Sequence, residues 1–121
     1  MSTDPRTAIV NIFIRKPLEI DEPDWCTGHP DPRAGYKVDI SHDGPEHVIA
    51  PRGQAMFKAF ISQAPFASTD RAIGLYVEPD LEPQTCTPDD VNQLADDLIE
   101  AAEQLRALGR QLAEIIDREG Q

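Results

Sequence analysis

Residues 87–119, TPDDVNQLADDLIEAAEQLRALGRQLAEIIDRE, carry the start signals and the apolar period of one long helix. A threonine at 87 can cap the first turn, because its side-chain oxygen accepts an N–H that has no partner inside the helix. Proline suits the first helical position, and Asp89 and Asp90 meet the positive end of the helix dipole. Val91, Leu94, Leu98, Ala101, Leu105, Leu108, Leu112 and Ile115 then recur at intervals of three and four, and Ala95, Ala102 and Ile116 widen the stripe. The spacing predicts a helix over 88–118, interrupted only by Gly109. At about 1.5 Å per residue it would be a rod near 45 Å long.

The chain before it reads as short strands and turns. Residues 7–14 (TAIVNIFI) are β-branched and aromatic, which predicts a strand buried on at least one side. Residues 16–32 hold four prolines and several acids with almost no apolar period, and are expected to form a loop that needs an anchor. Tyr36-Lys37-Val38-Asp39-Ile40 and residues 46–50 flank the turn-forming Asp43-Gly44-Pro45 and suggest a hairpin. Residues 54–63 fit either period and are read as a strand, and 71–77 alternate as another.

The expected fold is therefore α+β: a single domain over 1–121, with a small, mainly antiparallel sheet of four or five strands packed against one long C-terminal helix. Strands of five to eight residues span only about 17–27 Å, so the helix outruns the sheet. Its second half, through Leu105, Leu108, Leu112, Ile115 and Ile116, is then expected to bind a protein partner or a second copy of the chain. The competing reading has Gly109 kink the helix so that the last turns fold back on their own domain.

Composition narrows the function. With 22 acidic against 11 basic residues the net charge is −11, so a direct hold on nucleic-acid phosphates would work against the chain's own field. No apolar run has the length of a membrane span, and the first 17 residues lack the pattern of an export signal, so a cytoplasmic protein is expected. Its two cysteines, Cys26 and Cys86, would there remain thiols unless they bind metal. Residues 88–121 carry 9 acids and 3 arginines, and an outward helix face with Asp96, Asp97, Glu100 and Glu103 would be strongly negative. Such a face is either simply solvated, or engages a basic protein, or mimics DNA to occupy a nucleic-acid-binding site.

One constellation can carry chemistry: Cys26-x2-His29-x12-His42-x4-His47. Thiolate sulfur and imidazole nitrogen are the ligands a tetrahedral zinc prefers, and the hairpin would bring His42 and His47 opposite each other. The bland alternative is three solvated histidines and a buried cysteine beside Trp25, whose ring would pin the loop. Gly44-Pro45 between the histidines excludes a DNA-reading finger helix. A catalytic zinc with Asp43 or Glu46 as base would make a small metal-dependent hydrolase, but no phosphate loop, nucleophile elbow or His-Glu-x-x-His helix is present. A noncatalytic interaction or regulatory module with a structural zinc is the leading expectation.

Pro23-Asp24-Trp25-Cys26, His29, His42 and the Cys86-Thr87-Pro88-Asp89-Asp90 helix start resemble, in that order, a family of small uncharacterised domains of actinobacteria and their phages. The resemblance covers most of residues 22–108. Many members carry a further cysteine four positions before the Trp-Cys cysteine, where this chain has Glu22, and a leucine where it has Cys86. The resemblance implies the layout and compartment, and no activity.

Overall fold

The computed structural model describes residues 6–12, 17–29 and 33–119. Among these, β1 (Thr7–Ile12), β2 (Pro17–Asp21), β3 (Arg33–Gly35), β4 (His42–Asp43), β5 (His47–Ile49), β6 (Phe57–Gln63) and β7 (Gly74–Pro79) precede the helix α1 (Pro88–Glu119). The strands form a three-stranded sheet in the order β2-β1-β3 and a four-stranded sheet in which β4, β5 and β7 all pair with β6. The chain divides into two compact units, Met1–Pro45 with Ile61–Gly74 and Glu46–Phe60 with Leu75–Gln121.

In the first unit β1 and β2 are antiparallel, with Ala8 opposite Ile20 and Val10 opposite Leu18. β3 runs parallel to β1. The period-two pattern puts Val10 and Ile20 on one face, where they bury with Ile40 against Ala8, Leu18 and Phe66. Ile9, on the other face, is exposed, so β1 is covered on one side. The strand expected over 7–14 is thus present as far as Ile12, and its last two residues lie outside the described ones. β2 corrects the reading of 16–32 as loop throughout: Leu18 and Ile20 alternate with Glu19 and Asp21, and Pro17 occupies the first strand position, the one a proline tolerates. Positions 16 and 30–32 of that expected loop also lie outside the described residues.

The expected hairpin of 36–40 with 46–50 does not form. Residues Lys37–Asp39 make a 3-10 turn. Asp43 in β4 pairs with Ser62 and Val48 in β5 with Lys58, so both short strands use β6 as their antiparallel partner instead of each other. The seven-residue β6 offers a longer ladder than two or three residues closing on themselves, and the strand reading of 54–63 holds over its last seven positions. The strand expected over 71–77 is displaced to Gly74–Pro79.

In the second unit α1 is one unbroken helix of 32 residues, about 48 Å long. Its start is a reciprocal box: Asp90 N–H donates to Thr87 Oγ1 at 3.2 Å, and Thr87 N–H to Asp90 Oδ2 at 3.1 Å. Gly109 does not break it. Ala101 buries against Ile49 of β5 and Met56, with Phe57, Leu94, Leu105 and Leu108 around them, so the helix lies on the strand as expected. A second tie is polar. Arg52 Nε and Nη2 grip the buried Asp97 carboxylate at 2.9 and 2.7 Å, and Gln93 adds a bond at 3.2 Å. Arg52 makes this contact from the left-handed backbone region (φ 53°), followed by Gly53 at φ 80°, and the bidentate grip offsets that strain. Arg52 holds the Asp97 carboxyl below the usual carboxylate range, with Gln93 assisting and burial opposing.

Two expectations for α1 need correction. Asp97 does not belong to the outward acidic face, because the turn Pro51–Gly53 lies over it and supplies Arg52. The tail is also better covered than the length argument implies: Leu105 and Leu108 join the core, Leu112 is half-buried and Ile115 is buried, leaving Ile116 exposed. The large apolar side chains that α1 does expose are Val91, Leu98, Ile99 and Ile116.

Candidate metal centre

The centre lies in the first unit and is built by a turn and a short strand. Cys26 N–H donates to Pro23 O at 3.1 Å, closing the turn Pro23-Asp24-Trp25-Cys26. Thr27 ties this turn to β4 twice, its N–H and its Oγ1 both donating to Asp43 O, at 2.9 and 3.1 Å. Gly28 has a φ of 102°, accessible to glycine, and there its N–H donates to Cys26 Sγ at 3.4 Å. Arg6 clamps the loop by donating from Nη2 to Cys26 O at 2.9 Å. On the other side Asp43 accepts from Ser41 Oγ at 2.8 Å and Ser62 Oγ at 2.9 Å, which fixes the strand that carries His42.

These constraints bring Cys26, His29 and His42 together, with one ligand atom of each within 4.8 Å of the others. Sγ of Cys26 lies 3.9 Å from His29 Nε2. The rings of His29 and His42 meet edge to face at 5.5 Å, and Trp25 closes on His42 at 6.2 Å. Trp25 is buried and pins the loop, the plain role the sequence suggests. His42 Nδ1 is buried without a hydrogen-bond partner among the described residues, a costly state for a fold to keep.

Burial keeps these groups neutral. It pushes the Cys26 thiol up, with the Gly28 contact opposing the rise and Glu22 adding to it. Burial, reinforced by His29, pushes His42 down and keeps its imidazole neutral, the form that binds metal. A Cys/His2 set of this geometry is compatible with a structural metal such as zinc. Both cysteines are free thiols.

His47, the fourth ligand expected from sequence, sits on β5 in the second unit and is outside this group. The expectation rests on a hairpin that does not form. Of the carboxylates considered as a base, Asp43 is occupied by its two serines and Glu46 is exposed, 3.9 Å from Lys58 Nζ. A residue that sequence reasoning passed over is Glu22. Its side chain is 5% exposed, with Oε2 3.3 Å from Arg6 Nε and Oε1 3.7 Å from His29 Nε2. As one of the chain's 22 acids its only signal was its position four before Cys26, where the resembled family often has a cysteine.

No helix is long and apolar enough to cross a membrane among the described residues. Comparison with curated proteins and with solved structures gives no match. Residues 9–114 match the model of the family described as Domain of unknown function (DUF6907), and the chain belongs to that family of uncharacterised domains.

Proposed function

We propose that this chain is a noncatalytic interaction or regulatory module whose loop of residues 22–29 is locked onto β4 by a structural zinc ion. The observation that carries this reading is the convergence of Cys26, His29 and His42, with Nδ1 of His42 buried and without a hydrogen-bond partner among the described residues. The ion would supply no reaction. It would replace the apolar core that this loop lacks, much as small domains use metals where burial alone is insufficient. Burial of Cys26, His42 and Trp25 favours such a closed site over a hydrolase, which needs an open coordination position facing a substrate pocket. A reducing, cytoplasmic setting suits a free thiolate ligand.

A protein partner would dock on the outward face of α1, where Leu98, Ile99 and Ile116 are exposed. This replaces the larger set running from Leu105 to Ile116, most of which the chain covers itself. Zinc at 100-fold its Kd should stabilise the protein by about 2.7 kcal/mol, raising Tm, and a chelator should reverse this. An unchanged Tm on adding zinc to chelator-treated protein would count against the module. Sedimentation at high concentration tests self-association by α1: a strictly monomeric species leaves only a different protein as partner.

A further inference from the structure

We infer that Glu22 supplies the fourth ligand of the centre through Oε1, making it a closed Glu/Cys/His/His site. The inference rests on the metal reading above. Three observations meet at this side chain. Oε1 is buried and has no hydrogen-bond partner among the described residues. It lies 3.7 Å from His29 Nε2, while Cys26 Sγ lies 3.9 Å from the same nitrogen. Ligand atoms around a tetrahedral zinc with bonds of 2.0–2.3 Å stand about 3.3–3.7 Å apart, so these two separations need only a small contraction, while Oε1, which lies outside the group of atoms within 4.8 Å of one another, must also shift to join Cys26 and His42 on binding. The other carboxylate oxygen is held by Arg6 Nε at 3.3 Å, which leaves Oε1 free to bind through one oxygen.

Charge argues the same way. A divalent ion with one thiolate and two neutral imidazoles leaves a net positive charge buried beside Trp25, whereas Glu22 neutralises it. Without the ion, a carboxylate only 5% exposed has one oxygen with no hydrogen bond and only the 3.7 Å contact with His29 Nε2, which is expensive for a fold to retain. Arg6 and Glu22 then form a second layer and a ligand: the half-exposed guanidinium orients the carboxylate, and the carboxylate meets the ion.

Cobalt(II) titration of the full chain tests this, with Glu22→Gln, which keeps the shape, and Arg6→Ala, which removes only the orienting contact. The wild type should bind about one equivalent with a thiolate-to-cobalt band and a tetrahedral visible spectrum. Glu22→Gln should keep the thiolate band but bind at least about 100-fold more weakly, beyond the about 10-fold expected for Arg6→Ala. Circular dichroism of the metal-free proteins establishes that both variants are folded. Equal affinity of Glu22→Gln and wild type, or a loss no larger than that of Arg6→Ala, would overturn the ligand role of Glu22 while leaving the three-residue centre intact. A wild type that shows no thiolate band at all would overturn both.

Discussion

Replacing Ile49 by alanine tests how α1 is held. Ile49 is 2% exposed and sits with Met56 and Ala101 at the centre of the contact between β5 and the helix. The substitution removes three buried carbons at about 0.8 kcal/mol each, and the cavity left behind adds to this, giving about 3 kcal/mol. Met56 is flexible enough to fill part of the space, which keeps the cost near the lower half of the range for such truncations. For a chain of 121 residues this corresponds to a fall in Tm of about 10 °C. Urea unfolding followed by helix ellipticity measures it, with Ile116→Ala, at a half-exposed site, as the control expected to cost under about 0.5 kcal/mol. A loss below about 1 kcal/mol for Ile49→Ala would refute the docking of α1 on β5. A midpoint that rises with protein concentration would instead mean that a second chain covers the stripe.

Other substitutions probe separate links. Thr87→Ala removes the cap that Asp90 N–H uses and should cost about 1 kcal/mol in thermal unfolding, whereas an unchanged Tm would show that the box contributes nothing. Asp97→Asn should destabilise at neutral pH. Because the folded carboxyl is held below its unfolded value near 3.9, the contribution is complete above that pH and is lost as pH falls through the folded value, so wild type and variant should converge in acid; a gap that persists undiminished there contradicts the ion pair. Gly44→Ala would put a Cβ 3.2 Å from Trp25 O and 3.4 Å from the Ile61 side chain, and should cost about 1–3 kcal/mol in urea unfolding while weakening zinc binding through the displaced Trp25-Cys26 turn. Wild-type stability in that variant would show the site is looser than drawn.

The helix was legible because its signals are local: Thr87, Pro88 and Asp90 act within one turn, and the apolar period repeats over 32 residues. Cys26, His29 and His42 were legible as ligand types at close spacing, and the turn that holds Cys26 and His29 is itself local. His47 was misplaced because strand pairing is nonlocal. The turn residues Asp43-Gly44-Pro45 are compatible with a hairpin, yet β6, more than ten residues further on, captures both flanking strands. β2 was hidden for a different reason, since its alternation covers only five residues between prolines. Asp97 and Glu22 show the limit for charge: in sequence each is one acid among many, and only the arrival of Arg52 or Arg6 from elsewhere in the chain explains why it is buried. Ile116, which the period places at the edge of the apolar stripe, is exposed.

Zinc content of protein purified without a histidine tag, measured beside a Cys26→Ser variant, bears most directly on the metal centre. The arrangement of Cys26, His29 and His42 predicts about one equivalent per chain, sharply reduced in the variant. Less than about a tenth of an equivalent in folded wild-type protein after dialysis against zinc, with the variant no different, would contradict it.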